Sequence, residues 1–111
     1  GFYLLDKTKN LLFLGPYQGG LACTTIEMNK GVCGASAYEK QTIIVDDVHK
    51  FPGHIACSTT TNSEIVVPII KDDVVYGVID LDSDNYSNFD EISKEVEIDT
   101  ASMLLFCRET L

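Results

Sequence analysis

Apolar and polar positions fall into short blocks along the chain. Residues 2–5 and 11–14 are apolar runs divided by the polar Asp6-Lys7-Thr8-Lys9-Asn10, the pattern of a β-hairpin. Residues 15–20 have loop composition, and the block that follows predicts a strand over 21–28 with Cys23 near its start. Gly31-Val32-Cys33-Gly34 opens a short helix over 35–40, and β-branched residues predict a strand over 41–45. Asp46 and Asp47 are placed to cap one helical turn through Lys50, which Phe51-Pro52-Gly53 ends. Residues 65–70 and 74–81 are nearly continuous apolar runs joined across Lys71-Asp72-Asp73, which predicts central strands. Pro68 is the exception, because a residue without an N–H marks an edge or a bulge. After a cap at Ser87–Asp90, Phe89, Ile92, Val96, Met103 and Cys107 recur at helical spacing. The sum is one α+β domain over residues 1–111, a central, mostly antiparallel sheet with flanking helices.

The segment from Gly53 to Glu64, Gly-His-Ile-Ala-Cys-Ser-Thr-Thr-Thr-Asn-Ser-Glu, fits neither element type. It is a polar loop carrying a cysteine, Cys57, and an accessible thiol is what a nucleophile requires. Cys23 and Cys33 lie upstream, and all three are expected to serve one site. Cys33 competes with Cys57 for the attacking role, since a helix N-terminus lowers a thiol pKa. His54 is placed to stabilise a thiolate or to shuttle a proton, whereas His49 reads as surface. Zinc held by Cys23, Cys33, Cys57 and His54 has the right ligand types but none of the close paired spacings of structural zinc, so no metal is expected.

Asp80 and Asp82 are two apart in a strand and share one face, leaving Ile79 and Leu81 for the opposite, core face. Clustered carboxylates repel and can retain a proton near neutral pH. Glu64 joins them only if the register allows. A strict two-residue loop at Asp72-Asp73 sets Glu64 opposite Leu81, on the wrong face, and a bulge near Pro68 or an odd loop restores it.

The chain carries 8 basic and 17 acidic residues, a net charge of −9 that disfavours nucleic acid and anionic membranes. No apolar run reaches membrane-spanning length. Four cysteines in a chain this apolar point to a reducing cytoplasm, where such a set means catalysis, redox cycling or metal.

The ordered combination Gly1-Phe2-Tyr3, Leu14-Gly15-Pro16-Tyr17-Gln18-Gly19, Ala22-Cys23, Gly31-Val32-Cys33-Gly34, Gly53-His54-Ile55-Ala56-Cys57, Asn62-Ser63-Glu64 and Asp80-Leu81-Asp82-Ser83 resembles the free methionine-R-sulfoxide reductases, which are single GAF-type domains. The resemblance implies reduction of free L-methionine-R-sulfoxide through a cysteine sulfenic acid and an intramolecular disulfide. It implies Cys57 as the catalytic thiol, Cys23 as the resolving one, and Cys33 as a third family cysteine. Tyr3, Glu64, Asp80 and Asp82 fall on its substrate pocket. It implies no cofactor, a thioredoxin-type reductant, and a chain that extends upstream of Gly1 into a tryptophan and a helix; a homodimer stays open. A ligand-sensing GAF module without catalysis is the alternative, and it needs no cysteine triad.

Overall fold

The computed structural model describes residues 1–90. Six strands form one sheet: β1 (Phe2–Asp6), β2 (Leu11–Leu14), β3 (Thr25–Glu27), β4 (Ile43–Val45), β5 (Ser63–Lys71) and β6 (Val74–Ser83). Their order across the sheet is β3-β2-β1-β6-β5-β4, and every described pairing is antiparallel. The helix α1 (Gly31–Glu39) links the two edge strands and packs over one face, against β3, β5 and β6. A 3₁₀ turn (Val48–Lys50) follows β4, with the Asp47 side chain accepting from the His49 N–H as a cap.

The hairpin and the two central strands contain the apolar runs, but β5 starts at Ser63 and so takes Ser63 and Glu64 out of the expected loop, β6 runs on to Ser83, and three further boundaries differ. The strand expected over 21–28 contracts to Thr25–Glu27, and Leu21 is 84% exposed. The residues before it stay in a loop that carries Cys23 away from the sheet edge. The helix begins four residues early, at Gly31, whose φ of 61° turns the chain out of the loop. A side chain at Gly34 would run into the Glu27 carbonyl oxygen, so only a bare glycine lets the first turn of α1 sit on the strand end. The strand expected over 41–45 loses its first two residues and starts at Ile43. Of the expected C-terminal helix, only Phe89 and Asp90 are described, and Ile92, Val96, Met103 and Cys107 lie outside the described residues.

Both sheet faces are buried. Leu12, Val66, Val78, Val32 and Ala37 form the larger core between the sheet and α1. Ile65, Val67, Ile69 and Ile79 form a smaller one on the opposite face, where Phe89 packs. The face of Ile79 and Leu81 is therefore not the principal core. Asp80 and Asp82 share their face with Val78, on the helix-covered side.

Pro68 lies in β5 beyond the stretch that β4 pairs, since that pairing ends at Val66. Among the described residues no strand pairs with that side of β5, which accommodates a residue with no N–H. The pairing of β1 with β6 is closest at Gly77, opposite Leu4, where an added side chain would meet the Tyr3 carbonyl oxygen. Gly77→Ala should therefore destabilise the fold by roughly 1–3 kcal/mol, the usual cost of overpacking. Urea denaturation checks this, and an unchanged midpoint would contradict so close a β1–β6 approach.

Candidate active site

The site begins with a register shift. Asp72 and Asp73 both have positive φ, at 51° and 64°, the requirement of the tight hairpin turn that joins β5 to β6. Ile70 pairs with Val75, but Ile69 pairs with Gly77, so Tyr76 is the extra residue of a bulge on β6. The bulge lies next to Pro68 in the ladder yet belongs to the partner strand. Beyond it Glu64 opposes Asp82 instead of Leu81, and Val66 opposes Asp80. All three carboxylates thus reach one face, and the register conflict posed by the sequence is resolved.

They line a cavity of about 400 Å³ beneath the loops that flank α1, with Tyr3, Cys33 and His54 also on its wall. Cys33 Sγ and one oxygen each of Glu64 and Asp80 lie within 4.8 Å of one another. Glu64 is 94% buried by its 6% relative exposure. Burial, hydrogen bonding to Asp80 and the charges of Asp80 and Asp82 push its carboxyl far above the usual range. Asp82 stands at the solvent-facing end of the row and is raised less, by burial and then by Asp80. Asp80 Oδ1 is buried with no hydrogen-bond partner among the described residues. A buried oxygen left in that state is costly unless a ligand supplies the donor.

Burial and the neighbouring carboxylates also push the Cys33 thiol well above its ordinary pKa. That direction opposes the lowering that a helix start alone would give the Cys33 thiol. Cys33 is the third residue of α1 and faces the cavity, but desolvation and three nearby acids outweigh the helix terminus there.

Cys23 and Cys57 are joined in a disulfide with their Cα atoms 5.2 Å apart. The bond ties the loop before β3 to the loop before β5, and Cys57 lines the cavity. Neither cysteine is fully exposed. The Tyr3 hydroxyl donates to the Cys23 carbonyl oxygen at 2.9 Å, so β1 positions the first of these loops from below. Burial, followed by the charge of Cys33 and the carboxylates, raises the Tyr3 pKa and keeps that donor protonated.

Every residue singled out for the site on sequence grounds therefore falls on one cavity or on the disulfide at its edge. The spread of strands among them was hidden by distance in the chain. Missed were the apolar walls, Leu14, Ile26 and Val32, which line the same cavity. They carry no signal that separates them from ordinary core positions. His49 lies away from the cavity, exposed, with Nε2 3.1 Å from Asn62 Oδ1.

The profile of the GAF domain family matches residues 1–97. Over 95 residues the chain is 53% identical to GAF domain-containing protein A of Dictyostelium discoideum, an alignment covering 86% of this chain and 60% of that protein. Over 97 residues it is 54% identical to the free methionine-R-sulfoxide reductase of Saccharomyces cerevisiae, covering 86% of this chain and 54% of that one. It also superposes on the X-ray structure of the Neisseria meningitidis free methionine-R-sulfoxide reductase in complex with its substrate. That match has a TM-score of 0.91 at 44% identity, over 94% of this chain and 62% of the other. The chain spans little more than half the length of the two curated relatives. With this profile match over most of its length and this sheet, the chain belongs to the GAF domain family.

Proposed function

We propose that the protein reduces free L-methionine-R-sulfoxide to methionine by thiol–disulfide chemistry. The observation that carries this reading is the Cys23–Cys57 disulfide at the edge of a cavity walled by three carboxylates. A ligand-sensing domain without catalysis does not need a redox pair in that position. The similarity to the reductases of Saccharomyces cerevisiae and Neisseria meningitidis supports it.

In the reduced protein Cys57, as thiolate, attacks the sulfoxide sulfur. Glu64, held protonated by its buried setting, gives its proton to the sulfoxide oxygen. In the adduct so formed the hydroxyl moves to Cys57 Sγ as the substrate S–O bond and the new S–S bond break, so that methionine leaves and Cys57 is left as a sulfenic acid. The Cys23 thiol then attacks the Cys57 sulfur, water departs, and the disulfide of this structure is formed. A dithiol protein of thioredoxin type resets the pair by exchange. Two thiols supply both electrons, so the cycle calls for no metal or organic cofactor.

Asp80 and Asp82 receive the substrate ammonium, whose N–H donors satisfy the orphaned Asp80 Oδ1. Cys33, with its thiol kept protonated, closes the cavity floor and stays out of the first attack. The Tyr3 hydroxyl positions the resolving cysteine through its backbone. An acidic recess suits the ammonium of a free amino acid, a group that a peptide-bound residue lacks.

With dithiothreitol as reductant, the protein should consume the R epimer of free methionine sulfoxide and spare the S epimer and peptide-bound sulfoxide, as chiral separation of the products will read. Cys57→Ser should abolish turnover, with a melting temperature equal to that of the parent when both are held reduced in dithiothreitol. Comparable rates on the peptide would contradict the pocket assignment. A Cys57→Ser protein that still turns over, beside an inactive Cys33→Ser, would reverse the cysteine roles.

Glu64→Gln should slow catalysis by roughly 10²–10⁴, the worth of a general acid. Its effect on stability has the opposite sign. The folded protein keeps the Glu64 proton above the ordinary carboxylate pKa of 4.5, where the unfolded chain has released it. The native state then binds more protons, so stability falls as pH rises from about 4 toward the raised native value. Glu64→Gln removes that slope, and at pH 8 it should be more stable than the parent by upwards of about 1 kcal/mol. Urea denaturation at pH 5 and pH 8 checks the difference; parallel losses at both pH values would show an ordinary, ionised Glu64.

A further inference from the structure

We propose that His54 is a positioning residue that returns the proton to Glu64 between turnovers, through its Nε2 facing Glu64 Oε1 across 3.8 Å. The inference rests on the reductase reading above and adds a residue to it. A buried acid that gives up its proton once per cycle needs a route by which it is reloaded. Glu64 has only 8% of its side chain exposed, whereas the His54 ring has 16% and lines the same cavity. The imidazole thus meets both the solvent side and the acid, from the loop side of the cavity, while Asp82 flanks the acid from the sheet.

The ring is held there by its backbone. The His54 N–H donates to the Phe51 carbonyl oxygen at 3.2 Å, closing the turn at Pro52-Gly53. Ile55 packs on Gly31 at the start of α1, where an added methyl group would lie 3.1 Å from the Ile55 side chain. The Cys57 N–H donates back to the Ile55 carbonyl at 3.1 Å. One short loop therefore fixes both the nucleophile and the ring beside the acid.

The groups that bear on the ring are Glu64, Asp80 and His49. Burial, and then His49, lower the His54 pKa, with Asp80 opposing. The ring is accordingly neutral at neutral pH, and at 3.8 Å the contact with a protonated Glu64 is not an ion pair. When Glu64 protonates the sulfoxide oxygen it becomes an anion in that recess. His54 then takes a proton from solvent on one nitrogen and delivers one from the other, and both groups return to neutral. The proton delivered equals the one the Cys57 thiol released to solvent on forming its thiolate, so the cycle balances.

His54→Ala should leave the first turnover intact, because Glu64 starts protonated. Methionine formed in one burst from the reduced protein should match the parent in rate and amount. Steady-state kcat with saturating dithiothreitol should fall roughly tenfold with KM unchanged, and added imidazole should recover it. His54→Gln should behave alike but without recovery, its side chain filling the space. The parent kcat should also show a pH limb that coincides with the His54 ring titration followed by NMR, a test independent of how either variant folds. The proposal is overturned by an unchanged steady state, by equal slowing of burst and steady state, or by a parent profile lacking that limb. A parent without any methionine burst would instead remove the reductase reading, and the relay with it.

Discussion

The ladder between β5 and β6 is the constraint on which the site depends. A tight turn with both central residues at positive φ fixes the pairing at one end, and unbroken pairing would keep Glu64 on the face of Ile65's opposite neighbour, Leu81. One extra residue, Tyr76, advances β6 by a single position and turns Glu64 toward Asp82. Because side chains alternate with period two, that slip is all or nothing. The same bulge leaves Ile65, Val67 and Ile79 matched on the far face, so both cores are preserved.

Three acids on a helix-covered sheet face oppose folding, since desolvation and mutual repulsion both act against their charged forms. The surrounding core offsets this: Val66, Val78 and Leu12 are fully buried beside them. Sites built at the expense of stability are where function is expected. The covalent part of the site has the opposite character. Cys23 and Cys57 come from irregular loops, and what fixes them is the disulfide together with the Tyr3 hydroxyl on the Cys23 carbonyl. A rigid sheet therefore carries the acids and adaptable loops carry the thiols. That division suits a cycle in which two sulfurs must approach, react and separate.

Much of this was legible in the residues. The apolar runs located the central strands, and the spacing of Asp80 and Asp82 placed both on one face. The order of the motifs around Cys23, Cys33, Cys57 and Glu64 gave the family resemblance. What the sequence left open were effects of tertiary contact. Nothing local marks Tyr76 as a bulge, and Pro68, the residue that looked the part, sits in regular pairing opposite Val78. The small residues of Gly31-Val32-Cys33-Gly34 looked like the approach to a helix, yet they form its first turn because Gly34 fits against the Glu27 carbonyl. The setting of the Cys33 thiol is a tertiary effect as well. Helix position is visible in a sequence, but the carboxylates that surround Cys33 arrive from β5 and β6.

The central claim is that the bulged ladder builds a carboxylate cluster that still holds a proton at neutral pH. It is tested most directly by following the side-chain carboxyl carbons of Glu64, Asp80 and Asp82 by NMR from about pH 3 to pH 9 in the folded protein. The account predicts that Glu64 and Asp82 both ionise above the ordinary carboxylate range, with Glu64 the last and its proton retained at pH 7. Independent titrations of Glu64 and Asp82 near pH 4, each with an ordinary carboxylate value, would contradict it.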